Sequence, residues 1–471
     1  MAKNKIEKKT LLVCLIFLGI FVISGCGCKK MQPKQYKMSL EIWGTFDDRD
    51  NLAEIIANYR KINPAVTNIE YKKLTPDTYK QELLDALASG QGPDIFLLNS
   101  AWIPQFKDKT IPAPNAQGIV NEQRFRDNFV DVAINDFVEE GEIYAVPLSM
   151  NSLGLFYNKD LFNQAGIVSP PKNWNKFIDD VRLLTKLDEF GNITQSGAAI
   201  GTVYNINRST DVLNLLMFQT GTEMTSSAGN AVFGKWKSVG DQKFSPGESA
   251  LNFYTQFAKL KSLNYCWNSS LHYSLDAFSE GTVAMMFNYS WHLKTIRDKN
   301  PKLNFAVSPV PQFENSAKVN FASYWGYAVA KNKIAESFEG TAGLDKNTIR
   351  AEEAWKFLTY LTVKPDGNLV ADSSSGANLG VKQTVDFNFD PAEKYAEKSQ
   401  SPSARRDIIE KQKNDPEIGV FAVDNLIAKS WKQKDSQAVE IIFAEMIESV
   451  VKGQTTVTDA IHSAEQRVNT L

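Results

Sequence analysis

Between Met38 and Leu98 the spacing of apolar residues changes period four times. Met38 to Trp43 alternates as a strand does. Leu52, Ile55, Ile56 and Tyr59 then recur at helical spacing behind Asp48 or Asp50 as a cap, and Pro64 ends that helix. A second strand spans about Asn68 to Leu74. A second helix opens near Pro76-Asp77, carries Tyr79, Leu83, Leu84 and Leu87, and stops at Ser89-Gly90-Gln91-Gly92; Asp94 to Leu98 follows as a buried strand. Strand, helix, strand, helix, strand within some sixty residues predicts a parallel sheet with right-handed crossovers. Ligands meet such sheets at the carboxyl ends of the strands, which puts Gly44 to Asp47 and Asn99 to Trp102 on one rim.

Beyond a loop rich in Pro and Asn, Ile111 to Gly118, a second series begins. Ile143 to Pro147 and Leu153 to Tyr157 are strand-like, and Asn173 to Leu187 is helical with Trp174, Phe177, Val181 and Leu184 on one face. Asp188-Glu189-Phe190-Gly191-Asn192 is a turn; it lacks the further ligands and terminal Glu of a calcium loop. Helices are expected at Asp211 to Gln219, Glu248 to Leu263, Leu275 to Glu280, Ala351 to Thr362, Asn425 to Gln433 and Ala438 to Val451. Strands are expected at Ala284 to Phe287, Phe305 to Val307 and Tyr327 to Ala330, and Ser373 to Pro416 reads as loop. No period of about 20 to 50 residues recurs, which argues against a solenoid.

The chain opens differently. Lys3, Lys5, Lys8 and Lys9 precede an apolar run from Leu11 to Ile23. At about 13 residues the run falls short of the ~20 that span a bilayer, so it reads as a cleaved secretory signal over residues 1–25. Ile23-Ser24-Gly25-Cys26 resembles the bacterial lipobox, which implies lipid on Cys26 as first mature residue and a tether over residues 26–37. Acyl chains contribute about 0.8 kcal/mol per buried methylene, so the expectation is an exported protein anchored at the outer face of the cell membrane, or on the periplasmic side.

Loss of residues 1–25, which hold four Lys and one Glu, takes the formal charge from −2 to −5. A mildly acidic chain with no basic cluster past the signal is a poor nucleic-acid binder. About 445 remaining residues, drawn from a chain 43% apolar and 11% aromatic, exceed what one core organises and predict two lobes. Cys28 lies in the tether, where it has no fixed geometry for a bond to Cys266; Cys266, between Tyr265 and Trp267, reads as a small buried apolar residue. His272, His292 and His462 are isolated, and there is no His-Glu-x-x-His, Gly-x-Ser-x-Gly or phosphate-cradling loop. No cofactor or metal is expected. An exported carbohydrate hydrolase is the rival from another class, since a carboxylate pair is not excluded by composition.

A run of motifs in order carries a more specific reading. Gly92-Pro93-Asp94-Ile95-Phe96, Ile143 to Pro147, Leu155 to Phe162, Phe278 to Met286 with Ser290-Trp291, Trp325 to Val329, Ala354 to Leu358 and Ala428 to Trp431 resemble the extracellular solute-binding proteins of ABC transporters, in the sugar-binding group related to maltose-binding protein. Gly221 to Gly247 and Ser373 to Pro416 depart from it. The resemblance implies an α/β, two-lobed periplasmic-binding-protein fold of type II, each lobe a mainly parallel sheet flanked by helices. The crossovers would lie near Ser149 to Ser152 and Ala322 to Gly326. Residues 38–150 with about 322–385 would form the first lobe, and 151–321 with about 386–471 the second.

Sugars present apolar C–H faces and a belt of hydroxyls, so a sugar cleft needs rings and polar partners together. The expected strand ends and crossovers supply Thr45, Phe46, Asp47, Asn99, Ser100, Trp102, Ser149, Asn151, Tyr204, Asn205, Ser290, Trp291, Tyr324, Trp325 and Gly326. Trp102, Trp291 and Trp325 are the expected stacking residues; Asp47, Asn99, Asn151 and Asn205 are the expected hydroxyl partners. The expected partners are a mono- or oligosaccharide and ABC permease subunits, with the chain a monomer that closes by a hinge. A cationic or peptide solute is the second reading, because aromatic cages also hold cations.

Overall fold

The computed structural model describes residues 36–240, 242–314, 316–333, 338–339, 345–365 and 389–471. Cys26, Cys28 and residues 26–35 of the expected tether lie outside them, as does the stretch about residue 385 where the first lobe was expected to end; Lys37, the last residue of that tether, already belongs to the first strand.

Strand β1 (Lys37–Gly44), helix α1 (Arg49–Ile62), β2 (Val66–Lys73), α2 (Pro76–Ser89) and β3 (Ile95–Asn99) follow in the order that the apolar periods predict. Pro76 starts α2 at a position that needs no N–H, and Gly90 ends it with φ 73°, left-handed space that glycine enters freely. β1 pairs in parallel with β2 (Leu40↔Ile69) and with β3 (Ile42↔Ile95). The short strand β4 (Val146–Pro147) comes next.

The chain then leaves this core. Met150 is buried in the first hydrophobic cluster and Leu153 in a second. That second core holds β5 (Gly154–Asn158), α3 (Trp174–Leu184), α4 (Ser209–Gln219), α5 (Pro246–Thr255), α6 (Ser274–Glu280), β6 (Met285–Asn288), α7 (His292–Lys299) and β7 (Phe305–Ser308). After β8 (Asn320–Phe321) the chain returns, and β9 (Trp325–Val329) inserts antiparallel between β3 and β4. β10 (Phe338–Glu339) pairs with β1; α8 (Lys346–Thr362), α9 (Pro391–Ser399) and α10 (Arg406–Gln412) cover the first core. A third crossing, through α11 (Gly419–Asp424) and β11 (Ala428–Lys429), leads to α12 (Ser436–Val451) and α13 (Val457–Asn469) on the second core.

The crossings run side by side. Ser152 bridges Ala322, and β8 pairs in parallel with β11 through Asn320↔Ala428 and Phe321↔Lys429. Buried Asn320 donates from Nδ2 to the Leu153 carbonyl (2.7 Å) and to Asp424 Oδ2 (2.9 Å). Asn425 does the same for the carbonyls of Met150 (3.0 Å) and Ser403 (3.2 Å).

The structure corrects several expectations. Antiparallel β9 makes the first sheet mixed around its parallel centre. In the second core β6 and β7 both flank β5 antiparallel, and parallel pairing among the described residues there is confined to the single bridges Asn173↔Gln312, Ser196↔Val283 and Ala199↔Met286. The stretch read as loop contains α9 and α10, and Ala392, Tyr395, Ala396, Ile408 and Ile409 join the first core, although residues from about 386 were expected in the second lobe. These helices are short and carry too few apolar residues to show a period. The helix expected from Asn425 is instead a 3-10 turn, Asn425–Ile427, followed by β11, because the Asn425 amide is committed to the crossings. Cys266 is fully buried, with its Sγ–H donated to the Ala198 carbonyl at 3.3 Å, and burial pushes the thiol up to about 12.

Candidate functional site

Three chain segments build an aromatic wall at the carboxyl end of the first sheet. Phe46 follows β1 and is 55% exposed; its ring centroid lies 5.2 Å from that of Trp325, edge to face. Trp325 in turn meets Trp102 edge to face at 4.9 Å, and Trp102 stacks on Phe106 at 5.8 Å. The register Trp325↔Asn99 explains the meeting: it sets the start of β9 beside the end of β3. Asn99 Oδ1 accepts from the Ala101 N–H at 3.0 Å, opening the 3-10 turn that carries Trp102.

The second core offers a smaller platform after β6. Tyr289 and Trp291 stack with centroids 4.4 Å apart, and Trp291 stays 41% exposed. Between them Ser290 donates to Asn151 Oδ1 at 2.7 Å, while the Asn151 carbonyl accepts from Ser323 N–H at 3.0 Å. Asn151 and Ser323 lie on adjacent crossings, and Ser323 precedes Trp325 by two residues. The platform and the wall therefore flank the same crossings. Trp102 Nε1–H also reaches Ser436 Oγ, at the start of α12.

Six expected residues thus come together: Phe46, Trp102, Trp325, Asn151, Ser290 and Trp291, with Asn99 at the wall's base. Others point elsewhere. Asp47 is buried and already accepts from Tyr395 Oη (2.7 Å), Tyr327 Oη (3.1 Å) and Asn51 Nδ2 (3.3 Å); burial raises its pKa. Tyr324 turns into the first core, donating to Asp136 at 2.6 Å. Gly326 lies inside the sheet, where a Cβ would stand 2.9 Å from the Phe137 ring. Ser100 and Thr45 are buried, the latter with Oγ1 unpartnered, and half-buried Ser149 bridges Ser403. Asn205 is occupied in holding Thr202, Trp267 and the carbonyls of Asn268 and Leu271. Tyr204 lines a groove with Ile442, Met446 and Ser449 of α12 and Ala460 of α13, with neither aromatic group.

Sequence reasoning missed Tyr289, Arg208 and Ser436. Tyr289 was legible as the residue after β6. Arg208 and Ser436 sit in no motif and reach the site only through tertiary packing. His292 has both ring nitrogens buried without partners; burial, then the Arg208 charge, push its pKa down to about 4.

Two cores joined by three adjacent crossings, with aromatic groups of both beside those crossings, define a two-lobed binding architecture. The chain belongs to the bacterial extracellular solute-binding proteins, the family whose pattern matches residues 44–367. It is 25% identical over 319 residues to a protein of Brucella abortus described as a binding protein, covering 66% of this chain and 68% of that one. It is 23% identical over 407 residues to the multiple sugar-binding protein of Streptococcus mutans, covering 83% and 87%. The crystal structure of the cyclic alpha-maltosyl-1,6-maltose binding protein from Arthrobacter globiformis has a TM-score of 0.69 to this chain at 18% identity, over 92% of this chain and 98% of that one, and so shares its fold.

Proposed function

We propose that this protein captures a carbohydrate between its lobes and hands it to an ABC importer, without chemical turnover. The observation that carries the reading is the pairing of a wall, Phe46–Trp325–Trp102, with a platform, Tyr289–Trp291, across crossings that carry the amide of Asn151. Rings stack on the C–H faces of a sugar, and amides and hydroxyls of Asn99, Asn151 and Ser290 meet its hydroxyl belt. Closure follows from the extra contacts the second lobe adds once solute sits on the first. The Streptococcus relative, a multiple sugar-binding protein, and the Arthrobacter structure, a maltosyl-maltose binder, support a saccharide over a cationic or peptide solute.

Calorimetry against oligosaccharides, amino acids, peptides and polyamines tests this. Heat with one or more saccharides and none with the others is expected; binding confined to amino acids, peptides or polyamines overturns it. New reducing ends appearing during incubation would instead make the chain a hydrolase. The lobes of this reading are residues 38–150, 322–365 and 389–409 on one side and 153–321 with 418–471 on the other. The chain acts as an exported monomer held by lipid on Cys26; radiolabelled fatty acid is expected on the wild type and absent from Cys26→Ala, and equal labelling of both overturns the anchor.

A further inference from the structure

Arg208 stands in a setting that the packing of the second core does not explain. It directly precedes α4 with φ 65°, left-handed backbone that is costly for a residue bearing a side chain. Its cation sits at the N-terminal end of an 11-residue helix, where the backbone dipole disfavours positive charge. The guanidinium lies 5.4 Å from the centroid of Trp291 and 5.7 Å from that of Tyr289. Half-buried there, it forms no salt bridge among the described residues, and its buried Nε–H has no acceptor. Asp211, whose field it feels, is not within ion-pair distance of it and instead accepts from Tyr289 Oη at 2.9 Å. The same cation helps keep His292 neutral, with two unpartnered ring nitrogens facing buried space.

A guanidinium with free donors, held on strained backbone beside the most exposed ring of the platform, matches a carboxylate, which accepts its forked N–H groups in parallel. We propose that the solute is an acidic saccharide whose carboxylate is bound by Arg208 while its ring stacks on Trp291. A neutral sugar would leave the cation unpaired in a partly dehydrated site. The inference rests on the carbohydrate reading above and narrows it.

The test is calorimetry on the full chain with a uronic-acid oligosaccharide, its carboxyl-reduced neutral counterpart and a sulfate-ester oligosaccharide. The uronate is expected to bind at least tenfold more tightly than the neutral form, with affinity falling as salt rises. Arg208→Gln is expected to erase that preference and Arg208→Lys to restore part of it. Should neither variant fold, the wild-type comparison decides alone. Equal binding of uronate and neutral forms overturns the proposal and leaves the carbohydrate reading standing. Preference for the sulfate ester overturns the carboxylate. No saccharide bound in any arm, with a non-sugar solute bound instead, overturns both.

Discussion

Trp102 packs on the first core and Ser436 opens a helix of the second, and the 2.9 Å bond from the indole N–H to the serine Oγ joins the two across the site. Lys80 reinforces the join, 3.5 Å from Asp435 and 5.3 Å from the centroid of Trp102. One ring thus belongs to the aromatic wall and to the contact between lobes. A hydrogen bond of this kind contributes about 0.5–1.5 kcal/mol. Ser436→Ala is expected to enlarge the radius of gyration of the solute-free protein in small-angle scattering and to weaken solute binding by up to about tenfold. An unchanged scattering curve with unchanged affinity would show that the contact does not hold the lobes together.

Trp291 and Tyr204, two exposed aromatics of the second lobe, should behave differently. Trp291→Ala is expected to weaken solute binding at least tenfold, about 1.4 kcal/mol, because the ring stays 41% exposed beside the crossings. Tyr204→Ala, in the groove of α12 and α13, is expected to stay within about twofold of wild type, a difference too small to register as a binding hot spot. Calorimetry on the two variants separates them; the reverse order would move the site to that groove.

Arg405 is fully buried and forks onto Asp390 and Asp407, and Asp390 in turn caps α9 through the N–H groups of Ala392 and Glu393. Removing the cation leaves Asp407 with Lys364 at 3.8 Å and leaves the capping Asp390 without its buried counter-charge. Arg405→Met is expected to lower the unfolding free energy by about 3–5 kcal/mol. Urea denaturation checks this, and a loss below about 1 kcal/mol would mean that solvent replaces the arginine.

Burial raises Asp136 and Asp211 to about 6 and Asp424 to about 7. A carboxyl raised in the folded state holds its proton where the unfolded chain has lost it, so the folded state binds more protons between about pH 4 and 7. Stability from these groups is fully present below the unfolded value and declines as pH rises through the folded ones, by about 1.4 kcal/mol per pH unit for each proton held. Melting temperature is therefore expected to fall from pH 4 toward pH 7, and Asp424→Asn to flatten that slope. A melting temperature that climbs over the same range would contradict the assignment.

The first sheet was legible because each change of apolar period in residues 38–98 coincides with a cap, a proline or a glycine. Its rim was legible by the strand-end rule, yet only in part. Neighbours on a strand face opposite ways, so of the adjacent pair Tyr324 and Trp325 one enters the wall and the other the core, and no local pattern says which. Asp47 looks like a hydroxyl partner in sequence; Tyr395, 348 residues away, takes its Oδ1. Arg208 was invisible because the rings it stands beside, Tyr289 and Trp291, lie far along the chain and no local pattern brings them together.

The amides of Asn320 and Asn425 lash three segments of backbone into one narrow strap. A body hung on such a strap cannot swivel freely; it swings about a single axis, as a door does on its pin. Any movement of one core against the other is then greatest on the side away from the strap.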